Sequence, residues 1–156
     1  MSKDYFPPMH SAEHILNQVM VRHFTGRRSY SNHIERKKSK CDYHFDRNLN
    51  AEEITFIEEN VNEAIQQNLD VTEEFLTKDY DLSKFNLEKI PDDSGDTIRI
   101  IRIGNYDSCP CSGLHVMNTS EIGKFKIVST SHEDGVLRIR FKLDRSEIEQ
   151  NNYWSL

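Results

Sequence analysis

No run of this chain is long and apolar enough to cross a membrane as a helix. The opening, Met1-Ser2-Lys3-Asp4-Tyr5-Phe6-Pro7-Pro8, lacks the apolar centre of a secretory signal. A cytoplasmic protein is the expectation. Cysteine is scarce, with only Cys41, Cys109 and Cys111 in 156 residues. An odd, small number argues against a disulfide framework. Cys109 and Cys111 are separated only by Pro110 and would form a poor disulfide, so metal ligation, chemistry or packing remain. A surplus of positive charge is also missing. The 26 acidic residues outnumber the 20 basic ones, for a net charge of −6. That excludes a non-specific coater of nucleic acid. There is no internal repeat and no linker, so residues 1–156 read as one domain with one core.

What is present is unevenly placed. Between Arg22 and Lys40 stand seven basic residues (Arg22, Arg27, Arg28, Arg36, Lys37, Lys38 and Lys40) and a single acid, Glu35. Taken alone, such a run reads as a solvated loop. It can equally set a local positive surface against a polyanion. From 50 to 96 the balance reverses.

Hydrophobic periodicity gives the elements. Ala12, Ile15, Leu16 and Val19 recur at helical spacing, which predicts a helix from His10 to about Phe24, closed by Gly26. Pro7-Pro8 is expected to forbid helix before His10. His10, His14, Asn17 and Val21 form a second stripe, one turn apart and off the apolar face. Those histidines either line a cleft or are exposed. Residues 26–40 read as irregular or hairpin-like. Cys41 to Asp46 alternates as a strand, with Cys41, Tyr43 and Phe45 on one face. Asn50-Ala51-Glu52-Glu53 is a capping box opening a helix to about Asn68, with Ile54, Ile57, Val61, Ala64 and Ile65 as its buried stripe. Asp70–Leu76 suits a strand, Lys78–Glu88 a short helix, and Pro91–Asp96 a turn. Thr97–Ile103 is β-rich and ends at Gly104, followed by a loop from Asn105 to Pro110. Lys124–Thr130 and Gly135–Leu143 are strands joined by a hairpin at Glu133-Asp134-Gly135. The polar tail carries Tyr153-Trp154, which could pack back on the domain. The order implies an α+β fold, helices packed on an antiparallel β-sheet.

Chemistry gathers at two places. Cys111-Ser112-Gly113-Leu114-His115 offers a thiolate and an imidazole, and His10-Ser11-Ala12-Glu13-His14 offers two imidazoles on one helical face. Such nitrogen and sulfur donors suit zinc in tetrahedral geometry. Gly113 lets the backbone turn tightly enough for its neighbours to converge. Each pair alone also arises by chance.

The wider run Cys111-Ser112-Gly113-Leu114-His115-Val116, with Thr119-Ser120-Glu121-Ile122-Gly123-Lys124-Phe125-Lys126-Ile127, resembles the editing-domain signature of alanyl-tRNA synthetases and of AlaX-type trans-editing proteins. That signature is similar to Cys-x-Gly-x-His-Val, then Thr-x-Glu/Asp-Ile-Gly-x-Phe-Lys/Arg-Ile. His10-Ser11-Ala12-Glu13-His14-Ile15-Leu16 resembles the family's His-x-x-x-His helix, and Gly135-Val136-Leu137-Arg138-Ile139 its closing strand. The matches run in order from His10 to about Phe141. The resemblance implies the editing fold of threonyl- and alanyl-tRNA synthetases in a minimal AlaX-like form. It implies an aminoacyl-tRNA deacylase acting chiefly on Ser-tRNA(Ala), with Gly-tRNA(Ala) second. It implies a zinc cofactor held by His10, His14, Cys111 and His115. Two departures stand out. Residues 26–34 contain no glutamine, where the alanyl enzymes carry one, and Ser31 or His33 takes that neighbourhood. Tyr43-His44-Phe45 replaces the family's aromatic-Asp-Phe.

On this reading His10 and His14 are candidate catalytic bases if no metal binds. Ser31 and Thr119 are candidate contacts to a small hydroxylated side chain. Arg27, Arg28, Arg36, Lys37 and Lys38 are candidate contacts to the acceptor end of tRNA. A rival reading is a zinc-stabilised tRNA-binding module without catalysis, because four protein donors suit a closed structural site.

Overall fold

In a computed structural model, the structure describes residues 6–77 and 97–148. The expected short helix at Lys78–Glu88, the turn at Pro91–Asp96 and the placement of Tyr153-Trp154 lie outside the described residues.

Helix α1 runs Pro7–His23. It starts earlier than its periodicity predicts, because Pro7 and Pro8 occupy the first helical positions instead of blocking them. An N–H missing there is one the helix cannot pair anyway. Ala12, Ile15, Leu16 and Val19 are fully buried, as expected, and the polar stripe of His10, His14 and Asn17 is buried too. The helix is therefore enclosed on both sides. The N–H groups of Phe24 and Thr25 both reach the Met20 carbonyl and close it.

Strands β1 (Ser31–His33) and β2 (Ser39–His44) form a hairpin in the basic segment, the second of the two forms its sequence allows. Helix α2 (Ala51–Gln66) opens with the full capping box. Asn50 Oδ1 accepts from the Glu53 N–H, and Glu53 Oε1 accepts from the Asn50 N–H. Strands β3 (Val71–Thr77), β4 (Thr97–Ile103) and β5 (Asp107–Pro110) follow, then a 3-10 turn at Thr119–Glu121. Strands β6 (Lys124–Glu133) and β7 (Val136–Asp144) close through Asp134-Gly135, both at positive φ, as a two-residue hairpin turn needs.

Two antiparallel sheets replace the single one expected. The first has the order β1-β2-β7-β6 and the second β3-β4-β5. Segment 107–110 reads as loop because Asp, Ser and Pro are poor strand formers. Pairing with β4 overrides that preference, from Ile103↔Asp107 to Ile100↔Pro110.

The core lies between the helices and one face of the first sheet. Tyr43, Phe125, Phe141, Ile15, Leu16, Met20 and Ile57 are all buried there, each contributing roughly 1.5–3 kcal/mol by leaving water. Helix α2 also seals the outer edge of β6. Asn62 exchanges two hydrogen bonds with the Phe125 backbone, and Glu58 accepts from the Ile127 N–H. On the other side, Gln18 and Arg22 of α1 both donate to the Tyr106 carbonyl. This fixes α1 against the start of β5 and sets the ends of the two sequence motifs face to face.

Candidate metal centre

His10 and His14 stand on α1, while Cys111 and His115 stand on the loop after β5. One donor atom from each lies within 4.8 Å of all the others. A tetrahedral zinc with bonds of about 2.0–2.3 Å separates its donors by roughly 3.3–3.8 Å, so a small inward shift would complete the cage. The closest approach, Cys111 Sγ to His10 Nε2, is 3.4 Å. The structure thus brings all four expected ligands together.

Each ligand is aimed by a partner. His10 Nδ1 meets the Leu114 carbonyl at 3.1 Å, which leaves Nε2 toward the cluster. His115 Nδ1 bonds Ser11 Oγ at 2.9 Å, and that hydroxyl also accepts from the Val116 N–H. His115 Nε2 is buried without a hydrogen-bond partner among the described residues, as a vacant donor would be. His14 Nδ1 faces Asp107 Oδ2 at 3.6 Å, and the other Asp107 oxygen takes a 2.8 Å bond from Arg28 Nη1. A carboxylate behind an imidazole is the usual means of orienting a metal-binding histidine. The loop itself is clamped by Arg99, whose Nη1 donates to the carbonyls of Cys111 and Gly113. Gly113 lies against His10, and a Cβ there would come within 2.6 Å of Nδ1.

The electrostatics fit a cation. Burial raises the Cys111 thiol, but the adjacent imidazoles of His10, His115 and His14 outweigh it and bring the pKa down to about 2. At His14 burial opposes the imidazolium, and Asp107, Cys111 and Glu13 overcome it, pushing the pKa up to about 9. Burial holds His115 down at about 4. The neighbouring Cys109 is pushed by burial to about 12 and stays a thiol. Of the two thiols, Cys111 is the one that stands among the imidazoles and could serve as a thiolate donor. The donor set, the orphaned imidazole nitrogen and the preformed thiolate all fit zinc.

The cluster opens into a cleft of about 700 Å³ whose walls include His10, His14, Glu13, Cys111 and Gly113. Glu13 is buried. Its Oε1 accepts from Asn17 and Asn32, and its Oε2 has no hydrogen-bond partner among the described residues and lies 3.6 Å from His14 Nε2. Arg36 and Lys37 stand on the rim, while Arg27 and Lys38 are exposed away from the cleft lining. Arg28 differs from expectation. It lines the cleft, is one-tenth exposed and is paired with Asp107, so it also serves as an internal counter-ion.

The two expected substrate contacts lie elsewhere. Thr119 is fully buried outside the cleft lining. Its hydroxyl donates to the Ile65 carbonyl and accepts from the Leu69 N–H, tying the 3-10 turn to the end of α2. Ser31 is exposed on β1 and also absent from the lining, whereas its neighbours Asn32 and His33 belong to it. Sequence reasoning missed Asp107, Glu13, Ser11, Arg28 as a counter-ion, and Arg99. Glu13 and Ser11 carried a signal, since both lie within the His-x-x-x-His motif.

Comparison with known proteins agrees with this geometry. Residues 98–140 match the family described as threonyl and alanyl tRNA synthetase second additional domain. The chain is 30% identical over 145 residues, 90% of its length, to the alanine–tRNA ligase of Methylococcus capsulatus. It is 34% identical over 124 residues, 78% of its length, to that of Coxiella burnetii, and 32% over 152, 89% of its length, to that of Methanococcus vannielii. It spans only 14–16% of the length of these relatives.

Proposed function

We propose, for a chain that is a relative of the second additional domain of the threonyl and alanyl tRNA synthetases, the hydrolysis of mischarged aminoacyl-tRNA. Ser-tRNA(Ala) is the leading substrate and Gly-tRNA(Ala) the second, with residues 1–156 acting as one editing domain in the cytoplasm. The observation that carries the reading is the four-donor cluster at the wall of a cleft with cations on its rim.

Zinc, when bound by His10, His14, Cys111 and His115, supplies a Lewis acid near the ester. The chain's own groups do the rest. The cleft admits the 3′ end of the tRNA, and Arg36 and Lys37 meet its phosphates. The buried Oε2 of Glu13 either holds the substrate's ammonium or takes a proton from the attacking water. In a metal-free centre that proton would go to His10 or His14. Water adds to the carbonyl carbon, the ester C–O bond breaks, and the ribose hydroxyl recovers a proton. Since Ser31 and Thr119 do not line the cleft, Asn32, His33 and Ser112 are the polar groups left to recognise a seryl hydroxyl.

One observation favours a second reading, a zinc-stabilised tRNA-binding module without catalysis. All four donors come from the protein, as in closed structural sites. Purified zinc-loaded protein incubated with Ser-, Gly-, Thr- and Ala-charged tRNA separates the two. The expected result is loss of the seryl ester first, abolished together with zinc content in His14→Ala and Cys111→Ala. Stable esters on all four tRNAs, with tRNA still bound, would establish the second reading.

A further inference from the structure

The sheet β1-β2-β7-β6 buries one face on the helices and turns the other outward, and the register fixes what stands there. Lys40 of β2 lies directly opposite Arg140 of β7. Two residues along, Lys142 of β7 lies directly opposite Lys126 of β6. Four cations thus form a compact diamond, about 5 Å across strands and about 7 Å along them. Like charges placed directly opposite each other destabilise a sheet. Here the fold carries two such pairs side by side, in a chain of net charge −6. None of the four forms a salt bridge among the described residues; Asp42 and Asp144 share the face, but Asp42 is bonded to Arg138 and Asp144 lies in register with Lys124, so cations remain in excess. A locally unfavourable arrangement of this kind points to a ligand that compensates it.

Two further features select the ligand. Tyr30 and His44 stack with ring centroids 4.1 Å apart and planes 7° from parallel, and Tyr30 is 42% exposed. His44 lies on this same outward face of β2. Such a flat platform beside cations suits an unpaired base at the end of an RNA stem, which neither an acidic peptide nor a lipid headgroup supplies. The diamond is also continuous with the cleft. His33 lines the cleft and pairs in register with Lys40, which pairs with Arg140.

We propose that this outward face is a docking surface for the phosphate backbone of an RNA duplex, with Lys40, Arg140, Lys142 and Lys126 as the side chains that meet it. The proposal rests on the reading of an RNA-linked substrate in the cleft and assigns a place to the part of that RNA outside it. The chain then holds its substrate at two points. The 3′ end enters beside His10 and Glu13, and the adjoining stem lies across the sheet.

The test uses the full zinc-loaded chain and three variants: Lys40→Gln/Arg140→Gln, Lys126→Gln/Lys142→Gln, and the quadruple. Affinity for deacylated tRNA is measured across a salt series, with circular dichroism as the check on folding. The quadruple variant is expected to lose at least about tenfold in affinity at 0.1 M salt. Its log–log salt slope should fall by about 2–3, since each phosphate that is no longer neutralised removes about 0.9. Each double variant should lie between, and either one decides the matter if the quadruple does not fold. Affinity within twofold of the parent with an unchanged slope overturns the proposal. So does a parent that binds phosphatidylserine vesicles through these residues and ignores tRNA. A parent that binds tRNA through the diamond yet cleaves no ester would defeat the hydrolase reading and leave this surface standing. An active parent whose quadruple variant binds normally would do the reverse.

Discussion

A single serine decides which nitrogen of His115 faces the cluster, and a single aspartate does the same for His14. Asp107 also neutralises the buried Arg28, so its carboxylate serves a ligand and an internal cation at once. Asp107→Asn is therefore expected to weaken zinc binding by about 10–100-fold, the usual effect of removing an outer partner of a metal ligand. Competition with a chromogenic chelator measures it. Arg28→Gln should destabilise the fold, because it breaks the same buried ion pair, while weakening zinc binding less. Equal zinc affinity in Asp107→Asn and the parent would remove Asp107 from the centre. Cys109 and Cys111 are two positions apart and differ in state because burial, with Asp107 and Glu13 nearby, holds one as a thiol while the other meets three imidazoles.

Among the elements, the joint between α2 and the 3-10 turn rests on one hydroxyl. Thr119→Val would leave the Leu69 N–H without its partner and take the hydroxyl donor from the Ile65 carbonyl, at a cost of about 1–3 kcal/mol. Denaturant unfolding should show that destabilisation while zinc affinity stays at the parent value. A variant with parental stability and impaired substrate discrimination would return Thr119 to the substrate. Local signals made much of the fold legible. The Asn50–Glu53 box, the stripe Ile57, Val61, Ala64 and Ile65, and the Asp134-Gly135 turn all act within a few residues, and the structure keeps them. The convergence of the four donors was legible because the His10–His14 pair and the run from Cys111 to Ile127 carry a family pattern. What stayed hidden depends on distant partners. Segment 107–110 is a strand only because β4 lies beside it. Pro7 and Pro8 are helical because the helix begins at them. Asp107 acquires its role from Arg28 and His14, 79 and 93 positions earlier.

For the whole molecule, the centre joins the first helix to a loop far along the chain. His10 meets Cys111 across 101 positions. An ion bound there is available only to the folded state, so its binding free energy adds to folding. With zinc at about a thousand times its Kd, the stabilisation is about 4 kcal/mol, or roughly 8–16 °C in the melting midpoint for a chain of this size. Thermal melts with zinc and with excess chelator check this, and coincident midpoints would show that the four side chains hold no metal.

The side chains that α2 lays along β6 have a further consequence. A sheet normally ends in unpaired backbone groups that invite another strand, and self-association through such edges is a standing hazard. Here Asn62 and Glu58 have already taken the Phe125 and Ile127 groups of one edge. The opposite edge is β1, only three residues long. The short β1 edge and the capped start of β6 therefore offer little template for growth into fibrils.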